Sequence, residues 1–168
     1  MSPALMSPAQ MSPALEPALV FAVTLPALLV AHAVADHWVQ TGHQAAAKGL
    51  PGWVGRRACA AHVATYTATT AAVVGAAWWA FALPIGPVGF VLGQVVSALT
   101  HYLADRRVPL ARIAARVGRA GFYALGAPRE GRDDNPTLGT GAYALDQAWH
   151  HAWLAIAAVL TALIGSPA

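Results

Sequence analysis

His32 and Asp36, His101 and Asp105, and Asp146 and His150 each stand four positions apart. On a helix that spacing is close to one turn, so each pair shares a face. Neutral imidazole and carboxylate are ligands for zinc, iron or manganese. Helix bundles hold such ions between facing helices, with the ligand motifs about one turn long. His62 adds a fourth imidazole to the set. A divalent metal held by these seven residues would polarise a substrate or activate water for hydrolysis, with one Asp or His serving as general base. A carboxylate can instead support a His ligand from behind. A haem ligand is a further use of a helical His, but the paired Asp residues favour a harder ion.

The elements that must position these groups follow from the charge pattern. The chain is 57% hydrophobic and only 10% charged, against roughly 25% charged in an average soluble domain. Pro17 to Ala35, Ala58 to Ala104 and Gln147 to Ala168 contain no Asp, Glu, Lys or Arg. A helix needs about 20 apolar residues to cross a bilayer. The middle run therefore suits two spans, divided at Leu83-Pro84-Ile85-Gly86-Pro87, where prolines and glycine make a turn. The expected architecture is an all-α, four-helix polytopic membrane bundle with helices near 18–39, 58–82, 87–105 and 142–164. Residues 17–168 form the single membrane domain. A soluble bundle would need polar outer faces. Abundant Ala and Gly allow close packing in lipid, and Pro26 is expected to kink the first helix. A single cysteine excludes a disulfide framework and a Cys-rich zinc site.

Orientation comes from the basic residues. Lys48, Arg56 and Arg57 lie between the first two helices; Arg106, Arg107, Arg112, Arg116, Arg119, Arg129 and Arg132 lie between the last two. The tails and the turn near 83–87 have none. The positive-inside rule puts both basic loops in the cytoplasm and both termini outside the cell membrane. That placement accounts for the net charge of +3 without a nucleic-acid partner. Trp78 and Trp79 are expected at the outer interface, and Trp38, Trp53 and Trp149 at the inner one. Residues 108–125 form an amphipathic segment, Arg112, Arg116 and Arg119 opposite Leu110, Ile113 and Val117. It suits a short helix on an anionic inner leaflet. Asp133 and Asp134 pair with Arg129 and Arg132, and Thr140 caps the last helix. Residues 1–16 carry three MSPA units, uncharged apart from Glu16, and are expected to be a disordered tail. They lack the basic region of a signal peptide. Met6 and Met11 are alternative starts to Met1.

With this topology His32, Asp36, His62, His101, Asp105, Asp146 and His150 all fall in one layer near the cytoplasmic surface. Ionisable groups in spans mark functional sites. HAVAD followed by His62, and HYLAD followed by His150, suggest two related helix hairpins. His37, His43 and His151 lie off the paired face or in a loop and read as interfacial. Gln40, Gln147 and Tyr66 are candidate supporting groups; Cys59 and Lys48 carry no motif. No phosphate-binding glycine loop, GxSxG elbow or HExxH is present. Three functions remain open: a metal-binding protein with hydrolase chemistry, a transporter or proton relay, and a structural or partner-binding membrane protein.

At AHAVADHWVQTGHQAAAK, the His62 of CAAHVATYT, HYLADRR and GAPREGRDDNPTLGTGAYALDQAWHHAWL, the chain resembles the domain-of-unknown-function 3307 family. The resemblance runs over most of residues 31–154 through H-x-x-x-D, H-x-x-x-D and DQ-x-x-H. It implies a small bacterial membrane protein of four or so helices, and importance for these His and Asp positions. It implies no activity.

Overall fold

A computed structural model describes residues 15–128 and 139–164. The described residues are helical with connecting turns and contain no strand. Four long helices build the bundle: α1 (Leu15–Val34), α3 (Gly52–Ala80), α4 (Pro87–Asp105) and α7 (Gly141–Leu163). Three short ones, α2 (Gly42–Ala47), α5 (Val108–Arg116) and α6 (Ala120–Tyr123), lie in the connections. α1 packs on α3, α3 on α4, α4 on α7, and α7 back on α1, closing a ring of four.

The expected helices are all present, with bounds that differ for local reasons. α1 runs as helix through Pro26 and starts at Leu15, inside the expected tail. Its last turn widens to a π-turn over Ala35–Val39. α3 begins at Gly52 and carries Arg56 and Arg57 within it, because charged residues are compatible with an exposed helical turn and do not mark its end. Thr140 caps α7 by accepting from the Tyr143 amide at 3.1 Å, as expected.

Two corrections concern the connections. Residues 108–125 are two helices rather than one. Gly118, with φ 74°, closes α5: the Arg119 amide donates to Ala114 O and the Gly118 amide to Ala115 O, which is the Schellman arrangement. The apolar face of α5 is also turned partly inward, with Leu110 and Ala114 buried and Val117 exposed. The short helix α2 was not expected. Thr41 and Gln44 form a reciprocal capping box at its start. The MSPA units and the Arg129, Arg132, Asp133 and Asp134 pairing lie outside the described residues.

Packing changes along the bundle axis. At one end Val20, Leu83, Ile85 and Ala162 form an apolar plug. Leu28, Val74, Leu154, Ala157 and Ala158 fill the middle. Gly89 and Gly93 let α4 sit directly on α7. A Cβ at Gly89 would collide with Ile164 O, and one at Gly93 with Thr161 Oγ1. The other end, where α1 and α4 finish and α3 and α7 begin, carries the ionisable residues. Two helical segments, Leu15–Val39 and Pro87–Asp105, are long and apolar enough to cross a membrane.

Candidate metal centre

All seven predicted residues converge at that polar end. Four come closest: Asp36 from the turn after α1, His62 from α3, and His101 and Asp105 from α4. His62 Nε2 lies 3.0 Å from His101 Nε2, 3.2 Å from Asp36 Oδ1 and 3.3 Å from Asp105 Oδ2. His101 Nε2 lies 3.4 Å from Asp36 Oδ1 and 3.3 Å from Asp105 Oδ2. These five distances set one oxygen of each carboxylate against both imidazole nitrogens. Zinc bound to nitrogen and oxygen at about 2.0–2.1 Å has ligand-to-ligand edges of about 3.3–3.4 Å.

Proton bookkeeping separates this cluster from a hydrogen-bonded network. Each Nε2 carries at most one hydrogen, so two hydrogens would have to serve five short contacts. Asp36 Oδ1 and Asp105 Oδ2 remain without a hydrogen bond, although both are buried in a protein interior where such groups are normally paired. Lone pairs converging on a common point are what a cation requires.

Local structure explains the convergence. The π-turn after α1 displaces Asp36 toward α3, so that Oδ1 faces His62 and His101 while Oδ2 lies 3.7 Å from His32 Nδ1. Such turns recur at functional sites. His101 is stacked on Tyr66, ring centres 3.8 Å apart, and Tyr66 is fixed by a 2.6 Å hydrogen bond to Ser97. One turn further along α3, Thr70 donates to Gln94 Oε1 at 2.7 Å. Gln40, with its amide oxygen turned inward, accepts from His62 Nδ1 at 3.1 Å and from Lys48 Nζ at 2.9 Å. The same oxygen lies 3.2 Å from His62 Nε2, so Gln40 braces the outer edge of the imidazole.

Lys48, set aside in the sequence, belongs to the site. Its Nζ lies 2.8 Å from Asp105 Oδ1. The turn that aims it is clamped by Arg106, which donates to Lys48 O at 2.6 Å and to Leu50 O at 2.7 Å. Gly55 leaves room for this turn, since a Cβ there would collide with Leu50 O. Arg107 follows in a γ-turn, φ 58° and ψ −53°, with the Val108 amide on Arg106 O at 2.6 Å. This is a strained conformation for a residue with a side chain. The only sequence signal for Lys48 was its place as the lone lysine, in a short loop next to HAVAD.

The remaining three predicted residues stand beside the quartet. His32 and His150 have ring centres 4.7 Å apart, and His150 and His101 4.3 Å. Asp146 Oδ2 is 3.6 Å from His150 Nε2. The residues set aside behave as expected: His37 bonds to Ala33 O and is exposed, as are His43 and His151. Gln147 lines the cleft described next. Trp149, expected at an interface, donates to Thr100 O at 3.0 Å and ties α7 to α4. The buried Cys59 thiol points to Tyr102 O.

A cleft of about 590 Å³ opens on the site between Asp36, Gln40, Lys48, Asp105, Tyr143 and Asp146, with Arg107, Leu110 and Tyr123 at its walls. Ligand and solvent therefore reach the carboxylates from this end, while the apolar plug closes the other.

No curated protein matches the chain, and no solved structure does either. A family model matches from residue 24 to 166, taking in the later part of α1, all of α3, α4 and α7, and every residue of the centre. On that match the chain belongs to the family described as "Protein of unknown function (DUF3307)".

Proposed function

We propose that this chain is a multi-pass membrane protein that holds a divalent metal at His62, His101, Asp36 and Asp105, and that it acts as a metal-dependent hydrolase opening to the cytoplasm. The carrying observation is the pair of imidazole nitrogens of His62 and His101, 3.0 Å apart, each 3.2–3.4 Å from a carboxylate oxygen of Asp36 and of Asp105. Edges of this length suit zinc better than iron or manganese, which commonly take larger coordination shells. With four protein ligands, a bound zinc would need a fifth position for a water whose pKa it could lower to about 7. The chain's own residues supply the rest. Gln40 and Lys48 hold His62 and Asp105 in place, and the cleft admits a substrate. Asp146 adds a carboxylate to the cleft wall beside them.

Several features support the membrane reading. Val88, Leu92, Val95 and Leu99 form an exposed apolar stripe along α4, and Ile156, Val159 and Leu163 one along α7. Stripes of that size need a covering phase. Trp38 and Trp53 are exposed at the site end, Trp79 and Phe81 at the other, as interfacial belts would be. The loops bearing Lys and Arg adjoin the site end, which supports a cytoplasmic orientation for it. Arg112, Arg116 and Arg119 on α5 and the turn after it are exposed and would rest on anionic headgroups. Replacing all three with Gln should reduce co-purifying anionic lipid; unchanged lipid content would remove that contact from the proposal.

A transporter or proton relay is the second reading. It draws on the polar pairs Tyr66–Ser97 and Thr70–Gln94, which extend the ring toward the far end. Proton- or metal-driven flux in liposomes would select it.

The test of the first reading is elemental analysis of protein purified without added metal. Wild type should carry zinc, and His62→Ala and His101→Ala should each lose it, while His43→Ala keeps it. A metal-free wild type would defeat the proposal.

A further inference from the structure

Outside the quartet, the buried ring nitrogens without a partner among the described residues fall on His32, on His101 Nδ1 and on His150; His150 is the one that faces the cleft carboxylates. It is 3% exposed, and its Nε2 makes no hydrogen bond. The atom faces Asp146 Oδ2 at 3.6 Å. One ligand atom each from Asp105, Asp146 and His150 lies within 4.8 Å of the others. Neither nitrogen of His32, whose ring is the neighbour of His150, has a hydrogen-bond partner. A neutral polar network would leave none of these atoms unpaired in so buried a position. We propose that the centre is dinuclear, with a second divalent ion held by Asp105, Asp146 and His150 and sharing Asp105 with the first.

This inference rests on the metal reading of the quartet, and the internal relation of the two halves supports it independently. HAVAD on α1 and HYLAD on α4 are diagonal in the ring, as are α3 with His62 and α7 with His150. An axis along the bundle would exchange Asp36 with Asp105 and His62 with His150. The first ion uses His62, His101 and both aspartates; the same operation maps these onto His150, His32 and the same aspartates, so it asks for an ion beside His150 but does not itself call for Asp146. In the known pattern of two-metal sites the ions stand about 3.5–4 Å apart and clamp an oxygen substrate between them. One shared carboxylate suits that spacing. Lys48 already occupies Asp105 Oδ1, so the shared atom is Oδ2. One divalent ion balances the three carboxylates and Lys48. A second makes the cleft cationic, which selects an anionic oxygen compound such as a phosphate ester.

The test is zinc stoichiometry on the full chain in detergent, measured by elemental analysis after loading and desalting. Wild type should hold two ions, and His150→Ala and Asp146→Asn one each. Asp146 is partly exposed at the cleft wall, so Asp146→Asn preserves the fold if His150→Ala does not. Manganese-loaded wild type should also show the spectrum of a spin-coupled pair. One zinc in wild type, with uncoupled manganese, overturns the second site and leaves the first standing. Two zincs in both variants would reject these ligands. No zinc in wild type would remove both sites together.

Discussion

Lys48 Nζ and Asp105 Oδ1 form a 2.8 Å ion pair at the floor of the cleft, between a turn after α2 and the last residue of α4. The pair is buried on both sides. It divides Asp105 in two, one oxygen held by a cation of the chain and the other left for a cation from outside. Removing one partner of a buried pair typically costs about 3–5 kcal/mol, because the other charge is left unpaired. Lys48→Met is therefore expected to lower the melting temperature of the metal-free protein sharply. Added zinc should restore more stability in the variant than in wild type. Thermal unfolding with and without zinc measures this; equal zinc-induced shifts would show that Lys48 and the ion do not share Asp105.

Gly89 is the closest approach of α4 to α7. With three carbonyl oxygens of α7 around the added methyl, Gly89→Ala should separate the helices and cost about 1–3 kcal/mol, the usual range for overpacking. Gly75→Ala meets no atom within 4 Å and should be neutral or slightly stabilising. Comparing the two melting temperatures checks the packing, and equal values would contradict it.

Orientation is testable without a structure. All ten Lys and Arg residues fall in the two loops assigned to the cytoplasm. A reporter active only in the cytoplasm should be silent when fused after Ala168 and active when inserted within residues 129–138. The reverse pattern would turn the site to the outside.

Much of this arrangement was legible in the residues. Four-residue His–Asp spacing and a shared depth were enough to assemble the seven groups, because helical geometry leaves little freedom once the topology is set. The charge-free runs located α4 to the residue and α7 to within one. What escaped detection depended on long-range geometry. Lys48 reaches Asp105 only because Arg106 clamps the turn after α2, and no local pattern announces a bond between residues 58 positions apart. The π-turn at Asp36 was hidden because a four-residue spacing looks the same in either helix type. The break at Gly118 was visible as a glycine, but the amphipathic pattern ran across it.

The central claim is that two imidazoles and two carboxylates, and no sulfur, bind the first ion. X-ray absorption on the zinc-loaded protein addresses it directly. A nitrogen and oxygen shell at about 2.0–2.1 Å is expected, with outer-shell imidazole scattering that weakens in His62→Ala. A sulfur shell near 2.3 Å, or a wild-type spectrum that His62→Ala leaves unchanged, would contradict it.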